Sequence, residues 1–173
     1  MVQSNEDIKK ALHGLPQVFE SLSSGQKSKL RRARRPEELE SISGFYVLLS
    51  NHPILQNSFW KMKNVVFFIP WIEHTEGISL GGSFSRAGIE EGLRIYQVMR
   101  SSYPNDLFYL MRLTKMAISK GNTKKLKVDW QKMSNILFYW GDDSKRRILR
   151  EFFEEEHFTK NKPEEKENIH DDE

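Results

Sequence analysis

The 173-residue chain contains no cysteine, which removes disulfides, thiolate metal sites and a cysteine nucleophile together. It also lacks a long apolar run. The most apolar stretch, Val65 to Ile72, includes Pro70 and falls far short of the ~20 residues that cross a bilayer. Met1 to Asp7 has none of the basic-then-apolar order of a secretion signal, so a cytoplasmic protein with no membrane partner is expected. The five histidines (His13, His52, His74, His157 and His170) fall in no metal-binding spacing, and no paired-carboxylate motif is present. Neither catalysis nor a bound metal or cofactor is therefore expected. Gly77-Ile78-Ser79-Leu80-Gly81-Gly82-Ser83 has the glycines of a phosphate-binding loop but neither its lysine nor a preceding strand, and reads as a turn entering a helix.

What is present suffices for a core, since 38% of residues are hydrophobic and 12% aromatic. Apolar residues recur at helical spacing. Helices are expected near residues 7–23, 25–34, 36–41, 44–51, 54–69, 79–87, 89–101, 105–119, 129–140 and 143–157, with Asn105 and Asp143 as N-caps. The run Val65-Val66-Phe67-Phe68-Ile69 has strand propensity, yet no second such run exists to pair with it, so no sheet is expected. The fold class is all-α, a compact bundle of about eight to ten helices in two packed lobes. The polar break at Glu73–Gly77 divides an N-terminal lobe (1–76) from a C-terminal lobe (77–158), followed by an acidic tail (159–173) read as disordered.

Charge is unevenly placed. The net charge of +3 combines −7 over residues 151–173 with +10 over the first 150, and a basic body suits a polyanion. Lys27, Lys29, Arg31, Arg32, Arg34 and Arg35 occur within nine residues without an acid, and at 100° per residue Lys27, Arg31 and Arg34 share one helix face. Such self-repulsion weakens a helix, and phosphates are its commonest external compensation. A second cluster, Lys145, Arg146, Arg147 and Arg150, opens a helix that ends in Glu154, Glu155 and Glu156, against the helix dipole at both ends. A third runs through Arg112, Lys115, Lys120, Lys124, Lys125 and Lys127. Most aromatic residues fall on apolar stripes and read as core rather than as base-stacking platforms.

Several segments carry a resemblance in order from about residue 10 to 153. They are Leu30-Arg31-Arg32 with Pro36, Glu38 and Leu39; Phe45-Tyr46; Gly77-Ile78-Ser79-Leu80-Gly81; Arg94-Ile95 with Gln97 and Arg100; Leu110 with Arg112-Leu113; Asp129-Trp130; and Leu137 through Trp140-Gly141. At this spacing the chain resembles the CasB family, the small subunits of the type I-E CRISPR interference complex Cascade. The resemblance implies an all-helical, non-enzymatic subunit of antiviral defence, present in two copies along a complex built on a guide RNA. Its implied partners are the other Cascade subunits, the guide RNA, a second copy of itself, and target DNA, chiefly the displaced strand of the R-loop. Its implied task is sequence-independent stabilisation of that single strand, with cutting left to a separate helicase-nuclease. Arg31, Arg32, Arg100, Arg112 and Lys145 match basic residues of the family's groove. Lys27, Arg34, Lys115, Arg146 and Arg147 join them as nucleic-acid-binding candidates from the charge clusters. The chain departs from the family at Asp142-Asp143, where relatives are basic. Two rival readings are a helical protein and RNA scaffold with no direct DNA role, and a helical nuclease or phosphohydrolase using Glu90, Glu91 and Asp129.

Overall fold

Ile8, Ala11, Leu12, Leu15 and Phe19 recur every three to four residues and are all buried, so the first helix presents one apolar stripe to the core. In a computed structural model of the chain, which describes residues 5–90 and 93–160, that helix is α1 (Asn5–Ser21). There follow α2 (Ser24–Arg32), a 3-10 turn (Pro36–Ser41), α3 (Ser43–Ser50), α4 (Pro53–Gln56), α5 (Phe59–Phe68), a 3-10 turn (Ile69–Trp71) and β1 (Ile72–His74). The second half holds α6 (Leu80–Arg86), α7 (Leu93–Arg100), α8 (Asn105–Lys120), β2 (Leu126–Val128), α9 (Trp130–Phe138) and α10 (Asp142–Lys160). The class is all-α as expected, and among the described residues no helix is long and apolar enough to cross a membrane.

Three local expectations are corrected. α2 stops at Arg32 and its C-cap is Ala33, which takes Arg34 off the helical face shared by Lys27 and Arg31. The helix read over 54–69 breaks at Asn57-Ser58, and the N-cap position of α8 is Pro104, not Asn105. A sheet also exists: Ile72, Glu73 and His74 pair in parallel with Leu126, Lys127 and Val128, and Asp129 N donates to Ile78 O beyond it. Three-residue strands are too short to show the alternation by which a strand is recognised. The acidic segment 161–173 lies outside the described residues, while α10 continues past His157 to Lys160.

α9 crosses between the halves and packs on α1 and α5, and one buried apolar cluster runs from Ile8 to Phe152. A particular hydrogen bond fixes the α1–α9 contact. Pro16 lies inside α1 and has no N–H to give the Leu12 carbonyl one turn earlier. The Trp130 indole donates to that carbonyl instead, Nε1 to O at 2.9 Å. Replacing Trp130 by Phe should therefore cost about 1–3 kcal/mol, the range for an orphaned buried acceptor. The pair P16A and W130F should be less destabilised than the sum of the single changes, because an alanine in place of Pro16 restores the N–H; urea melts of the four proteins give the coupling.

Candidate nucleic-acid interface

α2 packs on the turn Ile69–Trp71, and the Arg31 guanidinium lies over the Trp71 ring at 5.8 Å. Lys115, from α8, lies over the same ring at 4.5 Å. One indole thus draws together cations from the first and third basic clusters, each attracted to the negative face of the ring. Partial desolvation holds the Lys115 ammonium below the usual lysine range. Arg112 stands one turn before Lys115 on the same side of α8 and lies 5.8 Å from the Phe108 ring. Its cleft, about 330 Å³ between α7 and α8, is also lined by Arg94, Gln97, Tyr109 and Leu113. The Arg94 guanidinium lies against the Met116 thioether there. Arg100 stacks near Tyr96, one turn back on α7, at 6.0 Å. Among the described residues no acid forms an ion pair with Arg31, Arg32, Arg112 or Lys115.

The other candidates are placed differently. Lys145 lies inside the fold: its side chain is only 7% exposed, and Nζ donates to Ser101 O at 2.9 Å while sitting 3.4 Å from the buried Asp106 carboxylate. It also meets Asp142 at 3.0 Å, whose carboxyl it holds below the usual range. The acid that departs from the family pattern is thus the partner of a lysine consumed inside the fold. Lys27 pairs with Glu20 at 2.9 Å, and Lys125 meets the same carboxylate at 3.2 Å; these two hydrogen bonds lower the Glu20 pKa. Arg147 is taken by Glu151 at 2.8 Å, and Arg146 by Asp143 at 3.3 Å with both groups largely in solvent. Arg34 is exposed beyond the end of α2, and its backbone N–H donates to Glu38.

Trp71 and Arg94 were not among the expected site residues. Arg94 and Gln97 do stand in the family-like segments, but the indole that gathers Arg31 and Lys115 carries no charge signal and looks like core in the sequence. Asp129, an acid of the enzyme reading, caps α9 through Gln131 N and Lys132 N and accepts from Gly77 N at 3.2 Å. Gly81 and Gly82 sit within α6 behind the N-cap Ser79, so the loop-like glycines belong to a helix. Burial pushes the His13 and His52 imidazoles below the usual histidine range, and His74 Nδ1 accepts from Trp130 N at 3.1 Å. Among the described residues no three His, Asp or Glu side chains are grouped as metal ligands.

No protein-family model matches the chain. It is 29% identical over 150 residues to the CRISPR system Cascade subunit CasB of Escherichia coli (strain K12), covering 80% of this chain and 89% of that protein. A chain in the crystal structure of E. coli Cascade bound to a PAM-containing dsDNA target superposes with a TM-score of 0.71 at 24% identity. That match covers 83% of this chain and 96% of the other. In sequence over most of its length the chain is CasB-like, and its helical architecture is that of a chain of the E. coli Cascade structure.

Proposed function

We propose that this chain is a non-catalytic subunit of a Cascade complex and that it holds the phosphate backbone of the displaced DNA strand without reading its bases. The observation that carries the reading is the convergence of Arg31 and Lys115 on Trp71, beside Arg112 and without a described acid to neutralise them. Exposed cations that lack internal partners keep their capacity to displace counterions from phosphates. Guide pairing supplies sequence recognition in such complexes, and strand exchange is close to balanced in energy, so modest stabilisation of the displaced strand shifts it. The neighbours implied are the other Cascade subunits, the guide RNA and a second copy of this chain.

Single-strand DNA binding by the purified protein should weaken with salt with a log–log slope near −3, the result for about four phosphate contacts at roughly 0.7 each. R31A and R112A should each make the slope shallower by ~0.7, whereas R147A, whose guanidinium Glu151 already holds, should leave it unchanged. In the assembled complex, R31A with R112A should shorten R-loop lifetime while guide RNA is retained. Loss of the subunit from the complex, with the salt slope unaltered, would instead favour the scaffold role.

A further inference from the structure

A second concave site lies apart from the cations around Trp71. Trp60, Tyr103, Tyr139 and Trp140 surround a cavity of about 430 Å³ whose polar lining comes from Lys61 and Asn64. Three of these rings are unusually open for their size, with Trp60 70%, Tyr139 49% and Tyr103 48% exposed. Asn64 is the opposite, at 7% exposed, and its Oδ1 is buried without a hydrogen-bond partner. Its Nδ2 has only a 3.5 Å contact to Leu137 O. Lys61 is exposed, with Nζ 5.1 Å from the Phe138 ring and 5.0 Å from the Tyr139 ring. On the other side Tyr103 donates to Glu37 at 2.9 Å. Burial first, then that hydrogen bond and the charges of Glu37, Asp106 and Glu40, push the phenol up to about 12.

We propose that this cavity takes one unpaired nucleobase of the bound strand. The inference rests on the reading above, because only a single strand offers bases that are free to leave the stack. Aromatic walls suit a planar ligand and tolerate any base. The Asn64 amide lacks a donor for Oδ1 and has little to hold Nδ2, so it has an acceptor and a donor to offer the edge of whichever base enters. Trp60 is 70% exposed, but Lys63 Nζ lies 3.6 Å over its ring and Phe59 packs edge-on against it, so the indole is a fixed wall on which a base can stack. Charge sets the direction: the sugar-phosphate leaves past Lys61, since Glu37 repels it on the Tyr103 side, where Glu40 is already paired with Lys63. An arginine or lysine from a partner protein fits less well, because Lys61 already places a cation over two of the rings.

Fluorescence anisotropy with two oligonucleotides of equal length tests this, one of oligo-dA and one carrying abasic residues, so that the phosphate count is the same. The wild-type protein should bind the dA strand about tenfold more tightly, with equal salt slopes for the two. Trp60→Ala should remove most of that difference without altering the slope; because the ring also covers Lys63 Nζ at 3.6 Å, a lower melting temperature accompanies it, and W60F, which keeps a ring there, should retain both stability and base dependence. N64L should reduce it without altering the slope. Equal wild-type affinities for the two strands, with the salt slope intact, would overturn the base pocket and leave the phosphate interface standing. Failure to bind either strand would overturn both. Release of W60A from the assembled complex, with base dependence retained, would assign the pocket to a protein neighbour.

Discussion

Gly81→Ala should cost about 3 kcal/mol or more, lowering the melting temperature by roughly 10 °C at the usual 2–4 °C per kcal/mol for a chain of this size. α6 lies flat on α10, with Leu80, Gly81, Gly82, Ser83 and Phe84 all buried. A Cβ at position 81 would run into the Ile148 carbonyl, 2.6 Å from Phe152 N and 2.8 Å from Glu151 Cβ. Two of those atoms are backbone of a continuous helix, so no rotamer change relieves the clash and the helices must separate. The neighbouring Gly82 is the control. Its added Cβ would meet chiefly the Ser79 hydroxyl at 2.9 Å, a side-chain atom whose displacement forfeits the α6 N-cap, about 1 kcal/mol, without parting the helices, so G82A should cost clearly less. Melts of both proteins decide the matter, and a G81A protein within two or three degrees of wild type would refute the packing argument.

Lys145→Ala should destabilise the fold by on the order of 3 kcal/mol, the scale for breaking a buried ion pair by removing one partner. Asp106 would keep its bonds from Trp140 Nε1 at 3.0 Å and Leu107 N at 2.8 Å but lose the cation beside it. The pair K145M with D106N, which removes both charges and keeps similar volume, should recover much of that loss. The DNA salt slope of folded K145A should match wild type, because a lysine already committed to Ser101 O and Asp106 neutralises no phosphate and so releases no counterion. A shallower slope with unchanged stability would return Lys145 to the interface.

These two positions show what the sequence made legible and what it did not. The helices followed from apolar spacing and from prolines, because one helix face must be buried whatever it is buried against. Partnerships did not follow. Lys115 and Lys145 look alike in the sequence, each on a helix beside other cations, yet one lies over an exposed-side indole and the other is enclosed with Asp106. The difference depends on which carboxylate the fold delivers, and Asp106 comes from a different helix. The Leu12 carbonyl that Pro16 leaves free is met by Trp130 from 118 positions away, which no local pattern records. Gly81 was visible as a glycine, but the backbone it approaches belongs to a helix 70 residues later. The aromatic cavity was hidden for the same reason: its rings come from separate segments and resemble core residues one at a time.

The position of α9 bears on how the protein is made. α1 and α5 leave the ribosome with their apolar faces complete, but the helix that covers them ends only at Phe138. At translation rates of about 5–20 residues per second, those faces remain uncovered for several seconds. The parallel pairing of Ile72–His74 with Leu126–Val128 must wait for the same stretch of chain. Early-synthesised helices are thus held in suspense until late ones arrive, and a nascent chain halted near Gly121 would display a sticky surface to chaperones or to its neighbours on the same messenger.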